Sequence, residues 1–395
     1  MKIIHTSDWH LGQRFHHLSR HEEHQDFLNY LFDYINKNKV DILIVAGDIF
    51  DTANPNREAE KLYYNFLKDI VLLNFCKVII IGGNHDSASH LNAPKILLQS
   101  LNIHIYGELS EKLEDMILDC STNQQALHIA CIPFLKDSDI RKESSDDSYH
   151  AIEKKVRSGI TNIYKKTSEL MPNNSINIAT GHLFALGSQL GDSERSIHVG
   201  NLGAISQEDI KQGFDYIALG HLHKPQSLKN NVHYCGSPIA LSFSEAKQEK
   251  EITILDISND TITIDKQVLP KFRSLYQLKG SISEIESQII ELSNISHNKT
   301  PWLEIKLNQQ HISKESYDNL FKLCQDNNLE LMKVILEQQI DLINENNFLG
   351  KDISELSPDD IFLQRLEFYD GDIDKESLKN CFSELLEKFY ESQKS

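Results

Sequence analysis

At 395 residues, with 40% hydrophobic and 25% charged content, the chain has the size and composition of a soluble protein of two or three domains, and no apolar run reaches the roughly 18–20 residues that cross a bilayer. A formal net charge of −18, with no Lys/Arg-rich segment, excludes a broad basic face that would hold nucleic acid unaided. A nucleic-acid substrate would need metals, a local surface or a partner to attract it, and acidity that serves solubility alone fits the composition equally well. Six scattered cysteines without a C-x-x-C pair argue against a structural zinc cluster and fit free thiols in a cytoplasmic protein. Met1-Lys2-Ile3-Ile4-His5 enters a strand without a signal-peptide pattern, so a cytoplasmic location is expected.

In chain order, the β-branched run Lys2–Thr6 predicts a buried first strand, followed by an amphipathic helix near Arg20–Lys37 with Phe27, Leu28, Leu31, Phe32 and Ile35 on one face. Strands at Asp41–Ala46 and Lys77–Ile81 alternate with helices near Asn56–Ile70 and Ala88–Leu98. The charged stretch Lys136–Asp147 reads as a mobile loop, and Ser144–Leu170 as a longer polar helix on the surface. Strands at Ile176–Thr180 and Tyr216–Leu219 follow, then Asn231–Cys235, Glu251–Ile257 and Thr261–Val268, whose alternation suits antiparallel pairing.

Pro270 marks a boundary. Residues 1–270 form the first predicted domain. Residues 271–340 form a small α+β module: strand Ser274–Gly280, helix Ile282–Leu292, strand Trp302–Leu307, helix Ser313–Gln325 and strand Leu329–Leu336. Residues 341–395 hold 14 acidic and 6 basic residues and close with helical signals. Ser357-Pro358-Asp359-Asp360 is a helix start, and the helix Asp374–Ser392 carries an apolar stripe of Leu378, Phe382, Leu385, Leu386 and Phe389. That stripe packs either on the chain itself or on a partner.

Five strand ends carry the chemistry: Asp8-x-His10, Gly47-Asp48, Gly83-Asn84-His85-Asp86, Gly181-His182 and Gly220-His221-Leu222-His223. In an α/β sheet the carboxyl ends of parallel strands open onto the ligand crevice. Asp8, His10, Asp48, Asn84, His182, His221 and His223 supply an oxygen and nitrogen donor set without thiolate, which suits two divalent ions such as manganese or iron. Asp48, with two oxygens, is the natural bridge. Two ions at about 3.5–4 Å can activate a water and clamp both oxygens of an in-line displacement at phosphorus. His85, beside the Asn84 ligand, is placed to stabilise developing charge or protonate the leaving oxygen, with Asp86 orienting its ring. Lys224, next to the last ligand, and Arg195, in the polar loop Gln189–Arg195, are candidate phosphate contacts; a solvated turn is the plainer reading of that loop. Eight other histidines read as structural: His16, His17, His21 and His24 at a polar helix start, and His5, His104, His128 and His233 in strands.

This motif order resembles the calcineurin-like metallophosphoesterases. Ile4-His5-Thr6-Ser7-Asp8-Trp9-His10-Leu11-Gly12, Ala46–Thr52, Gly220–Gln226 and Tyr234-Cys235-Gly236-Ser237-Pro238 are similar more narrowly to the bacterial SbcD nuclease subunits. The resemblance runs over nearly the full chain and implies a four-layer α/β/β/α sandwich with a small α+β capping domain and C-terminal helices. It implies a manganese-dependent nuclease of DNA repair, replication and recombination in the bacterial cytosol at the nucleoid. The nuclease would be a double-strand 3′-to-5′ exonuclease and a single-strand or hairpin endonuclease. Its expected partners are DNA and an SbcC-type coiled-coil ATPase, as a homodimer within a heterotetramer with no membrane. By the same resemblance one ion would take Asp8, His10, Asp48 and His223, and the other Asp48, Asn84, His182 and His221. Asp51 stands where archaeal and eukaryotic relatives carry histidine, which leaves its role open.

Two rivals remain at this level. A phosphomonoesterase or protein phosphatase could use the same scaffold, but the runs Gly47-Asp48-Ile49-Phe50-Asp51-Thr52-Ala53 and Gly83-Asn84-His85-Asp86 depart from the phosphatase patterns G-D-x-x-D-R-G and G-N-H-E. A non-catalytic scaffold that recruits the ATPase would not need all seven ligands.

Overall fold

The computed structural model describes residues 1–140, 149–185, 205–309 and 311–336, with Ser188 and isolated positions beyond 360. Its strands and helices begin β1 (Lys2–Thr6), α1 (His21–Asn38), β2 (Ile42–Ala46), α2 (Arg57–Leu73), β3 (Lys77–Ile81), α3 (Ala88–Asn92), α4 (Lys95–Gln99) and β4 (Ile103–Tyr106). They continue with β5 (Ile117–Asp119), β6 (Leu127–Ala130), α5 (Asp137–Ile140), α6 (Tyr149–Glu169), β7 (Ile176–His182), α7 (Gln207–Lys211), β8 (Tyr216–Gly220), β9 (Gln226–Ser227) and β10 (Val232–Tyr234). The last are β11 (Glu251–Ser258), β12 (Thr261–Val268), β13 (Leu275–Gly280), α8 (Ile282–Ser293), β14 (Trp302–Leu307), α9 (Lys314–Asp326) and β15 (Glu330–Leu336).

Two six-stranded sheets face each other. The first runs β12-β11-β1-β2-β3-β4, parallel from β1 to β4 and antiparallel at β11 and β12. The second runs β9-β10-β8-β7-β6-β5, with a parallel centre of β10, β8, β7 and β6. Ile3, Ile44, Ile79, Ile129, Ile178 and Ala218 are sealed between them, which is why the central strands read as continuous apolar runs. α1 and α2 cover the outer face of the first sheet through Phe27, Leu31, Leu62 and Phe66, while α6 and α7 cover the second through Val156, Ile160, Tyr164 and Ile210. Four layers, α/β/β/α, result.

Local chemistry sets the boundaries. Asn56 caps α2 by accepting from the Ala59 N–H at 2.9 Å, and Asn74 ends the helix in left-handed backbone. The helix expected over Ala88–Leu98 is two short ones, because Pro94 supplies no N–H to continue the first and heads the second. α6 lies on the outside as expected, yet it is amphipathic: Val156, Ile160, Ile163, Tyr164 and Thr167 are buried. In the Lys136–Asp147 stretch, Asp137–Ile140 form a helical turn and 141–148 lie outside the described residues.

After Pro270, β13, β14 and β15 form a parallel three-stranded sheet with α8 and α9 as crossovers around Leu278, Ile285, Leu303, Ile305 and Leu320. This module meets the start of α1. Trp302 stacks on Phe15 at 5.5 Å, the Arg20 and Arg273 guanidinium groups lie over the Trp302 ring, and Arg273 pairs with Glu22 and Glu23. Met1–Glu337 form one compact unit and Gln338–Ser395 a second. Within the second, Phe362 and Phe382 stack at 3.9 Å; most of the expected helix Asp374–Ser392 falls outside the described residues. No described helix is long and apolar enough to cross a membrane.

Candidate metal centre

All five motifs lie at the carboxyl ends of β1, β2, β3, β7 and β8, where the two sheets meet. The pairing of β1 with β2 continues past the strands. The N–H groups of Asp8, His10 and Leu11 donate to the carbonyls of Gly47, Asp48 and Ile49 at 2.9–3.0 Å, so the first two loops are laced together. Four of the expected ligands, Asp8, His10, Asp48 and His221, adopt positive φ (53°, 47°, 50° and 98°). Left-handed backbone at non-glycine residues costs about 1–3 kcal/mol each and concentrates where function demands a side-chain direction that a relaxed loop would not give.

Glycine makes room at two decisive points. Gly47 has φ +86°, and a β-carbon there would overlap His182 Nδ1. A β-carbon at Gly220 would run into the Ala46 carbonyl oxygen, since the two sheets nearly touch.

The seven expected ligands converge. Asp8, His10 and His223 form one close cluster of donor atoms, and Asp8, Asp48 and His182 a second. Asp48 stands between them, its Oδ2 at 3.7 Å from His10 Nε2 and 3.3 Å from His182 Nε2. Asn84 Oδ1 lies 2.9 Å from His182 Nε2. The His221 ring is 5.5 Å from that of His182, and the main-chain N–H of His221 donates to Asp8 Oδ1 at 2.9 Å. Asp8, His10, Asp48, His182, His221 and His223 are all buried.

Whether this cage suits cations can be judged from its lone pairs. His182 Nδ1–H donates to the Ala46 carbonyl at 3.0 Å, so Nε2, facing the Asn84 and Asp48 oxygens, is the ring nitrogen that can carry a proton or bind a metal ion. The two oxygens call for positive charge at this point, from a proton on Nε2 or from a cation in its place. The buried Nε2 atoms of His10 and His221, by contrast, have no hydrogen-bond partner. Divalent ions held by Asp8, His10, Asp48, Asn84, His182, His221 and His223 would satisfy these atoms together.

The electrostatics agree. Burial alone would raise Asp48 and lower His182; the mutual pull of carboxylate and imidazole reverses both, so Asp48 falls well below the carboxylate range and His182 rises to about 9. For His10, burial works downward, but Asp51, Asp48 and Asp8 raise it. Burial raises Asp8 and, with the charge of His182, lowers His221.

Other side chains fix this frame. The Ser7 hydroxyl donates to Asp8 and lies 3.1 Å from Cys235 Sγ. Asp51 Oδ1 is 3.4 Å from His10 Nδ1, so the residue whose role the sequence left open sits behind a ligand. His85 Nδ1–H donates to the Asp51 carbonyl at 2.7 Å, and its ring is 4.7 Å from that of His10. Asp86 does not take its expected place behind His85. Its carboxylate accepts the N–H groups of Ile49, Phe50 and Gly83 at 3.1, 3.0 and 2.9 Å, tying the Asn84 loop to the Asp48 loop. Burial and the Asp48 charge push Asp86 up to about 6 against the pull of those donors.

Sequence reasoning also missed Glu245 and Lys250. Glu245 Oε1 lies 3.5 Å from His223 Nδ1, and Lys250 Nζ donates to Glu245 Oε2 at 2.6 Å and to the His223 carbonyl at 2.9 Å. Burial would raise Glu245, but His223 and Lys250 hold it well below the carboxylate range. Their only trace in the sequence is proximity to Gly236-Ser237-Pro238, since the stretch 239–250 has no periodicity to interpret. Lys224 is exposed beside His223; Arg195 and its loop lie outside the described residues.

Residues 1–225 match the model of the calcineurin-like phosphoesterase family, and 271–369 that of the type 5 capsule protein repressor C-terminal domain. The SbcD subunit of the SbcCD nuclease from Escherichia coli K12 is 32% identical over 93% of this chain and 92% of its own. The chain belongs to the SbcD family. SbcD relatives from Bacillus subtilis (29% identity, 78% of this chain, 79% of the relative) and Rhodobacter capsulatus (33%, 65% and 67%) extend the match. A calcineurin-like SbcD site with this donor set uses divalent metal.

Proposed function

We propose that this chain is the nuclease subunit of a DNA repair and recombination complex. It is a phosphodiesterase that takes two divalent ions, manganese foremost, degrades duplex ends 3′-to-5′ and opens single-stranded or hairpin DNA with an SbcC-type coiled-coil ATPase. The observation that carries this reading is the convergence of Asp8, His10, Asp48, Asn84, His182, His221 and His223 from five strand ends into one buried donor cage. When bound, the two ions supply Lewis-acid charge on the phosphate and an activated water.

The chain's own residues do the rest. Asp48, between His10 and His182, bridges the two halves of the cage. His85 works from Nε2: with Nδ1–H held by the Asp51 carbonyl, the protonated ring donates from Nε2 to the departing oxygen. Asp86 sets the loop that carries His85 and Asn84. Lys224, and Arg195 from its loop, contact the DNA backbone, a local attraction that offsets the net charge of −18.

The modular reading supports this role: 1–270 cuts, 271–340 caps the substrate side and 341–395 docks the ATPase. A second copy pairs through α4 and the turn after it, where Ile96, Leu97 and Leu101 are 89%, 67% and 42% exposed; apolar side chains so displayed on one short segment suit an isologous contact. Two copies and two ATPase chains make a heterotetramer with paired sites on one DNA.

The test is a cleavage assay on linear and hairpin duplex DNA with manganese or magnesium, with and without the ATPase. Manganese-dependent cleavage of both substrates is expected. Hydrolysis of phosphomonoesters or phosphopeptides with DNA left intact would replace this reading with a phosphatase.

A further inference from the structure

Behind His223 a charged group is sealed from solvent. Glu245 lies on the turn Phe243–Glu245 and is 1% exposed; Lys250 is 7% exposed and Ser237 fully buried. Glu245 Oε2 accepts from Lys250 Nζ at 2.6 Å and from the Leu241 N–H at 3.1 Å, while Oε1 faces His223 Nδ1 at 3.5 Å. Lys250 Nζ reaches the His223 carbonyl at 2.9 Å and Ser237 Oγ at 3.0 Å. A buried ion pair is weak evidence for stability, because apolar residues of the same volume would often serve as well. This one grips a single residue twice, at its ring and at its main chain.

We propose that Glu245 is a positioning residue for the metal centre: it accepts Nδ1–H of His223, fixes that tautomer and turns Nε2 toward Asp8 and His10, with Lys250 holding the carboxylate in place. The proposal rests on the two-ion reading above. A neutral imidazole has one N–H, so committing Nδ1–H to a carboxylate leaves the Nε2 lone pair for the ion and makes it more basic. Asp51 stands in the same relation to His10, but its side chain is 28% exposed, whereas that of Glu245 is 1% exposed. The turn is rigid as well. Phe243 packs edge-on against Phe15 at 5.0 Å within a cluster that includes Leu275 and Trp302, which seats the carboxylate on two parts of the fold.

Calorimetric titration of the full chain with Mn²⁺ resolves the two ions without recourse to cleavage. Glu245→Gln is expected to weaken one ion by about 10–100-fold and leave the other unchanged. The double variant Glu245→Gln/Lys250→Met, which strands no buried charge, is expected to fold and to show the same selective loss. On a His223→Gln background, Glu245→Gln should cost no further affinity. Wild-type affinity for both ions in the Glu245 variants, equal weakening of both, or an additive loss on His223→Gln would overturn the positioning role alone. Wild-type protein that takes up fewer than two ions would overturn the two-ion reading, and the positioning role with it.

Discussion

The strands β1, β2 and β8 end in turns where Asp8, His10, Asp48 and His221 hold positive φ, while in the capping sheet left-handed backbone falls on Gly280 and Asn328. Both regions are built on parallel strands with helical crossovers and sealed apolar cores. In the cap, β13 runs straight into a capping box: Ser281 and Glu284 exchange hydrogen bonds at the start of α8, and glycine and asparagine take the strained positions at little cost. At the metal centre the strained positions belong to the chemical side chains, and the buried Nε2 atoms of His10 and His221 have no hydrogen-bond partner. A parallel sheet edge is therefore a generic platform. The residues allowed to sit in strain at its turns decide whether it binds anything.

That contrast can be broken from either side. The largest effect is expected from Asp48→Asn, which removes charge at the point shared by both halves of the cage: Mn²⁺ uptake and DNA cleavage should fall to background together. His85→Gln should lower cleavage by about 10²–10⁴-fold while both ions still bind, measured by single-turnover kinetics beside a metal titration. In the cap, Leu303→Ala empties a fully buried position and should cost about 2–5 kcal/mol in denaturant unfolding with Mn²⁺ affinity unchanged. Loss of metal binding there would erase the distinction between platform and site.

The last prediction concerns pH. His5 lies under the centre, its Nε2–H donating to the Leu219 carbonyl and its Nδ1 accepting from the Tyr216 hydroxyl, so it is neutral. Burial lowers it from 6.5 to about 3, with His233 adding to the fall. A folded value below the unfolded one gives stability that is complete above pH 6.5 and is lost as pH falls toward 3, at about 1.4 kcal/mol per unit within that window. Urea midpoints of the metal-free chain should drop across this range, and His5→Gln should flatten the slope. An unchanged slope would show that His5 is not buried as a neutral ring.

The sequence made the cage legible because each of its five motifs follows an apolar run and opens after a small residue, a local pattern that survives without tertiary information. The capping module was equally open, since Ser281, Ser313 and the alternating apolar residues of β13 to β15 obey short-range rules. Elsewhere the controlling contacts are remote or anonymous. Asp86 spends its carboxylate on backbone N–H groups, which leave no mark in a sequence, so a dyad with its neighbour His85 was the natural expectation. Glu245 and Lys250 reach His223 across an irregular stretch that no periodicity singles out. Within Ala88–Leu98 the apolar spacing outweighed Pro94, whose missing N–H ends one helix and starts another.

The claim on which the rest depends is that one donor cage centred on Asp48 holds two ions. Anomalous diffraction at the manganese edge from Mn²⁺-soaked crystals tests it directly. Two peaks about 3.5–4 Å apart on either side of Asp48 are predicted, one ligated by Asp8, His10 and His223 and the other by Asn84, His182 and His221. A single peak, or peaks that leave Asp48 unligated, would contradict it.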